Sequence, residues 1–151
     1  MTKPVPEGYH TLTPTLVVKD ARRALEFYEK AFGAERLGVA EMPDGRVGHA
    51  EVRIGDSRLM LNDEFPEMGA TAPEPGRAAS SVWVYVEDAD AFFARATAAG
   101  AKVLMPLGDQ FWGDRMGALE DPFGHRWSVA TRKRDQTPEE TKARMAAAFK
   151  R

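Results

Sequence analysis

A stretch near the start of the chain returns 68 positions later, and this repeat restricts the fold more than any other feature. Leu16 to Ala34 reads LVVKDARRALEFYEKAFGA, and Val84 to Ala101 reads VYVEDADAFFARATAAGA. In both copies an apolar strand end (Val17-Val18, Tyr85-Val86) meets a charged residue, then Asp20-Ala21 or Asp88-Ala89, then a helical pattern that stops at Gly33-Ala34 or Gly100-Ala101. Asp caps a helix start because its carboxylate accepts from free backbone N–H groups of the first turn, and Gly suits the left-handed geometry of a helix end. Between these signals Ala24, Leu25, Phe27, Tyr28, Ala31 and Phe32 share one helical stripe, as do Ala89, Phe92, Phe93, Ala96 and Ala99. Each helix therefore has one face to bury, and the chain reads as one unit written twice.

The same shift carries Thr13 to Ser81, Arg58 to Arg126 and Met60 to Ser128, so the flanking strands stay in phase. Tyr9 to Val18 alternates, with Leu12, Pro14, Leu16 and Val18 on the side predicted to meet the core. After the first helix, Glu35 to Met42, Arg46 to Ile54 and Arg58 to Asn62 read as strands, joined at Pro43-Asp44-Gly45 and Gly55-Asp56. Residues 64–80 hold Pro66, Gly69, Pro73, Pro75 and Gly76 without periodicity and read as a linker between modules. The second module repeats the order: Ser81 to Val86, a helix from Asp88, Lys102 to Leu107, the loop Gly108 to Asp114, Arg115 to Glu120, the turn Asp121-Pro122-Phe123-Gly124, and His125 to Thr131. Thr137-Pro138-Glu139-Glu140 carries cap, first-turn proline and acidic residues, and predicts a terminal helix over 138–149. The fold class is α+β: two tandem βαβββ modules at 9–63 and 81–131 forming a curved mixed sheet cup, and a tail with a helix at 132–151.

With 43% hydrophobic residues the chain can build a real core, and a net charge of −2 without a basic stripe argues against nucleic acid. No apolar run of membrane length occurs, so no membrane partner is expected. The absence of cysteine excludes disulfides and thiolate metal sites and suits the cytoplasm, the expected compartment.

If the Leu, Ile and Val sides of the strands face the helices, the opposite sides carry Thr11, Thr13, Thr15, His49, Glu51, Arg53, Arg58, Met60, Asn62, Ser81, Trp83, Tyr85, Arg126 and Ser128. That surface is too polar and aromatic for a second core and reads as a concave binding face. These modules, with DQFWGDR at Asp109 to Arg115 and EDPFGHRWSVAT at Glu120 to Thr131, resemble the vicinal oxygen chelate superfamily. That group includes glyoxalase I, extradiol dioxygenases, and fosfomycin- and bleomycin-resistance proteins, and the resemblance is closest to its glyoxalase/bleomycin-resistance-like branch. It implies metal ligands on the first and last strands of each module, places that fall here on Thr13, Met60, Ser81 and Ser128. Hydroxyls and a thioether are poor donors for a divalent ion, so no metal cofactor is expected at those positions.

Two functional readings remain. The first is metal-independent binding of a small molecule, drug or metabolite, with Trp83, Tyr85, Phe111 and Trp112 as flat surfaces, and Thr13, Met60, Asn62, Ser81, Arg115 and Ser128 as further lining. Asp114 and Arg115 are expected to pair and hold the loop, and Arg53, Arg58 and Arg126 could neutralise an acidic ligand. The second is an enzyme: a lyase, isomerase or dioxygenase with a divalent metal displaced to His49 and Glu51, or a metal-free catalyst using that pair as acid and base. His49 and Glu51 lie two apart on a strand and so share a face, with a third donor required from Asn62, Glu41 or His10. His10 and His125 read as structural or solvated, and Asp20 and Asp88 as caps. Relatives of this kind commonly dimerise, so a homodimer is expected.

Overall fold

The computed structural model describes residues 2–150, so the final residue of the expected tail segment lies outside the described residues. The first module runs β1 (Thr15–Val18), α1 (Ala21–Phe32), β2 (Glu35–Glu41), β3 (Val47–Ile54) and β4 (Ser57–Asp63). The second runs β5 (Ser81–Tyr85), α2 (Ala89–Ala99), β6 (Lys102–Asp109), β7 (Asp114–Glu120) and β8 (Arg126–Arg132), and α3 (Pro138–Ala148) follows. The fold is α+β, and its mixed sheet is realised as two four-stranded sheets of orders β1-β4-β3-β2 and β5-β8-β7-β6. Among the described residues no helix is long and apolar enough to cross a membrane.

The repeat is reproduced in register. β1 pairs in parallel with β4 so that Thr15 faces Met60, and β5 pairs with β8 so that Trp83 faces Ser128, both members displaced by the same 68 positions. Both helices are capped as the sequence predicts: Asp20 accepts from Arg23 N at 3.2 Å, and Asp88 from Ala91 N at 3.0 Å. A second cap comes from the end of the last strand of each module, where Asp63 accepts from Ala21 N at 2.7 Å and Thr131 Oγ1 from Ala89 N at 2.9 Å. These bonds satisfy first-turn donors that would otherwise be orphaned, and they fix each helix to its own sheet.

The α1 stripe Ala24, Leu25, Phe27, Tyr28, Ala31 and Phe32 is buried, and one core runs through both modules. The helices meet in it: Phe32 stacks on Phe92 with centroids 5.4 Å apart, and Arg95 Nε donates to Lys30 O at 2.8 Å. Each sheet thus turns one face to the shared core and the other away from it.

The first strand is shorter than expected. Residues 9–14 lie outside β1, and Leu12, predicted to face the core, is 88% exposed. Pro14 O still accepts from Met60 N at 3.0 Å, but proline has no N–H for the next ladder bond, and the pairing stops there. Val82 occupies the matching place in the second module, and β5 continues to Ser81. The loop expected at Gly108 to Asp114 shortens to 110–113 because β6 extends to Asp109 and β7 begins at Asp114. The linker is anchored to the body: Phe65 is buried beneath the Arg46 guanidinium, and Gly76 N donates to Glu120 at 2.7 Å.

Candidate functional site

The outward face of the first sheet is polar. Glu51 stands between Gly38 and Met60 in the register, with His49 two residues along β3. His49 Nε2 lies 3.0 Å from Glu51 Oε1, and Arg58 lies 3.8 Å from the other carboxylate oxygen while stacking on the Tyr9 ring at 4.7 Å. The Tyr9 hydroxyl is buried without a well-formed hydrogen bond of its own. Burial, then the nearby Glu51, push its pKa up. Tyr9, then His49, hold the Glu51 carboxyl below its ordinary value despite partial burial. Asn62 turns its amide to Asp63 O at 2.8 Å, leaving its side-chain oxygen as the free end.

The outward face of the second sheet is apolar and aromatic. Met116, Ala118 and Ala130 are buried there, with Met105 and Trp112 packed on them, so the 110–113 loop lays Trp112 over β7 and β8. Trp83 and Tyr85 remain 42% and 56% exposed beside it, with Trp83 centroids 6.4 Å from Trp112 and 5.9 Å from Tyr85. Phe111 turns from this wall to meet Trp112 at 4.9 Å and Phe149 at 5.9 Å. Ser128 is buried under the wall, whereas Ser81 is exposed at its edge.

Asp114 and Arg115 do not pair. They are consecutive in β7 and so point to opposite faces. Arg115, expected among the lining residues, lies on the helix side, where it binds Asp90 at 2.9 and 3.0 Å and Asp109 at 3.4 Å. Asp114 is 1% exposed and accepts from Tyr85 OH and Trp112 Nε1, each at 2.8 Å, and from Arg132 Nε at 3.0 Å. Two-residue steps back from Ala118 and Met116 place Asp114 on the aromatic face, a signal present in the sequence. His125, expected to be structural, directs Nε2 to Val17 O at 2.7 Å and so ties β1 to the second module.

Between the modules lies a cavity of about 550 Å³, bounded by the Tyr9 to Pro14 approach, the Ile54 to Leu59 turn and the open edge of β5, and lined by Phe32, Phe92 and Trp127. Of the expected candidates it takes in His10, Thr13, Arg58, Trp83 and Tyr85; His49, Glu51, Met60, Asn62 and Trp112 stand outside it. Val86 N donates to Ala130 O, and alternate residues of a parallel strand direct their backbone groups to the same side. Trp83 and Tyr85 therefore aim their N–H and C=O groups away from β8, into this cavity.

The metal positions implied by the resemblance, Thr13, Met60, Ser81 and Ser128, hold no imidazole or carboxylate; Met60 stands in the first sheet, Ser81 and Ser128 in the second, and Thr13 in the segment that precedes β1. That donor set does not fit a resident divalent ion. Among the described residues no group of three or more His, Cys, Asp or Glu side chains is placed to hold one elsewhere.

A doubled βαβββ fold whose outward faces carry a polar wall and an aromatic wall defines the class, and residues 10–129 match the Glyoxalase/Bleomycin resistance protein/Dioxygenase superfamily. The chain belongs to that superfamily. An uncharacterised protein of Mycobacterium tuberculosis (strain ATCC 25618 / H37Rv) is 44% identical over 140 residues, covering 90% of this chain and 82% of the relative. The crystal structure of TioX from Micromonospora sp. ML1 superposes with a TM-score of 0.66 at 29% identity, over 82% of this chain and 99% of TioX. The fosfomycin resistance protein FosX from Listeria monocytogenes shares the fold with a TM-score of 0.64 at 18% identity, over 87% of this chain and 97% of that one.

Proposed function

We propose that this protein binds a small molecule, drug or metabolite, without a metal cofactor, and that it does so as a cytoplasmic homodimer. The observation that carries the reading is the wall of Trp83, Tyr85 and Trp112. Two large aromatic side chains stand exposed on a strand face, and a buried carboxylate bonds to two rings of the wall. Flat rings of this kind offer stacking surface to a planar ligand at little cost in side-chain entropy. The polar wall of the first module complements it: Arg58 can donate to a bound molecule, and Glu51, held ionised by its neighbours, and the Asn62 side-chain oxygen can accept.

The dimer supplies what one chain keeps apart. The two walls lie on separate sheets, while the open edge of β5 directs the backbone groups of Trp83 and Tyr85 to a cavity without a neighbouring strand. A second copy seated at that edge covers these groups and brings the polar wall of one chain beside the aromatic wall of the other. The alternative, a metalloenzyme centred on His49 and Glu51, rests on their 3.0 Å contact and needs a third donor, which no further His, Cys, Asp or Glu among the described residues is placed to supply.

The test is elemental analysis of protein purified without chelator, together with tryptophan fluorescence during titration with planar aromatic compounds. Saturable quenching by metal-free protein, lost in Trp83→Ala, is expected. A stoichiometric divalent ion that disappears in His49→Ala would overturn the reading in favour of the enzyme.

A further inference from the structure

Two buried carboxylates in this chain collect the same kinds of donor and end with opposite surroundings. Asp121 accepts from Tyr28 OH at 2.6 Å, Trp127 Nε1 at 2.9 Å, Phe123 N at 2.8 Å and His125 N at 3.0 Å. Both of its aromatic partners are buried to within 1%, so that carboxylate organises the core. Asp114 also takes one tyrosine hydroxyl and one indole N–H, with Arg132 in place of the backbone donors. Its aromatic partners are not core residues: Tyr85 is 56% exposed and Trp112 lies half-buried over the outward face.

Burying a carboxylate is costly unless its oxygens meet well-placed donors, and here three donors engage both oxygens. The donors come from three segments, β5, the 110–113 loop and the end of β8, and the carboxylate is the point at which all three meet, with Tyr85 and Arg132 also close to each other beside it. Trp83 has no polar tether among the described residues and is positioned by its neighbours, with centroids 5.9 Å from Tyr85 and 6.4 Å from Trp112. The same corner is closed by the main chain, where Gly113 O accepts from Lys133 N at 2.9 Å and from Arg134 N at 3.2 Å, and by the Gln136 side chain, whose Nε2 donates to Phe111 O at 2.9 Å.

We infer that Asp114 is the positioning residue of the aromatic wall, fixing Tyr85 and Trp112 from beneath and Trp83 through them, so that a planar ligand meets rings already in place. The inference rests on the binding role proposed above and adds to it the residue that sets the wall's geometry. It also gives the Trp-Gly-Asp stretch at 112–114 a physical purpose: the glycine, at φ 99°, lets the chain turn back so that an indole can bond to the carboxylate two residues on. Preformed rings lower the ordering cost of binding, and a loosened wall returns that cost.

The test compares the intact chain with Asp114→Asn, which keeps the shape but places an amide N–H against groups that donate. Two readouts need no ligand: the exciton couplet of the Trp83 and Trp112 indoles in circular dichroism, assigned with Trp112→Phe, and the indole N–H resonances. The expected result is loss of the couplet and a displaced Trp112 resonance, while Trp127, held by Asp121, keeps its own. Binding of anilinonaphthalene sulfonate, followed by its fluorescence, is expected to weaken about tenfold. Should Asp114→Asn fold poorly, Tyr85→Phe removes one hydroxyl and is expected to move the same signals in the same direction by less. Couplet and affinity unchanged in both variants overturn the inference, as does a Trp127 resonance that moves together with that of Trp112, which marks a general structural role. Loss of the couplet with unchanged affinity upholds the positioning and rejects the wall as the binding surface.

Discussion

Asp121 sits at the start of the Asp-Pro-Phe-Gly turn with its oxygens filled by four donors, two of them from the largest rings of the core. Asp121→Asn replaces one acceptor oxygen by an NH2 group that opposes either Tyr28 OH and Trp127 Nε1 or the Phe123 and His125 N–H groups, and it is expected to lower the unfolding free energy by about 1–3 kcal/mol in urea titration. Glu51 gives a different signature. Its folded pKa lies below the ordinary value of 4.5, with the Tyr9 hydroxyl the first cause and His49 the second. The stability it contributes is therefore present above that ordinary value and is lost as pH falls through the lowered one. Thermal melts of Glu51→Gln are expected to fall less steeply on acidification than those of the parent chain, and parallel acid limbs would show that Glu51 does not carry the effect. At this scale the sequence was partly legible. Alternation placed His49, Glu51, Trp83 and Tyr85 on the outward faces, where they stand. It did not reveal that Arg115 is drawn to Asp90 at the start of α2 or that Tyr9 folds onto Arg58, because these contacts join segments whose spacing in the chain carries no information about their approach.

The elements follow local chemistry closely where a cap or turn residue dictates the backbone. Asp20, Asp88, Thr137, Gly33 and Gly100 mark helix ends as their chemistry requires. Departures occur where proline acts on a ladder. Pro14 ends β1 early, and Pro106 sits in β6, an edge strand whose pairing with β7 slips between Met105 and Gly108. Gly117 lies opposite that slip, and a Cβ there would come 2.8 Å from Phe93 and 2.9 Å from Met105 O. The ring can yield, but the carbonyl belongs to the irregular strand and cannot move without breaking its pairing. Gly117→Ala is expected to destabilise the chain by about 1–3 kcal/mol, read as a lower denaturation midpoint. An unchanged midpoint would show that β6 shifts freely.

At the scale of the whole molecule the repeat foretold two modules and the order of elements along each, and the common offset reappears in the pairing of first and last strands, Thr15 with Met60 and Trp83 with Ser128. It could not foretell that both helices enter one core and leave the outward faces on separate sheets, an arrangement set by Phe32, Phe92 and Trp127 meeting between modules. That division is why the binding account calls for two copies. Sedimentation equilibrium is expected to give about twice the chain mass of 16.7 kDa, and a monomer at binding concentrations would remove the proposed pairing of walls. The central claim is metal-independent binding on the aromatic wall. Its most direct measurement is titration of the full chain with anilinonaphthalene sulfonate in the presence and absence of a chelator, beside Trp83→Ala. The account predicts one affinity for the parent chain in both buffers and at least about tenfold weaker binding in the variant. Binding that disappears with chelator and returns on adding a divalent ion, with Trp83→Ala unaffected, would contradict it.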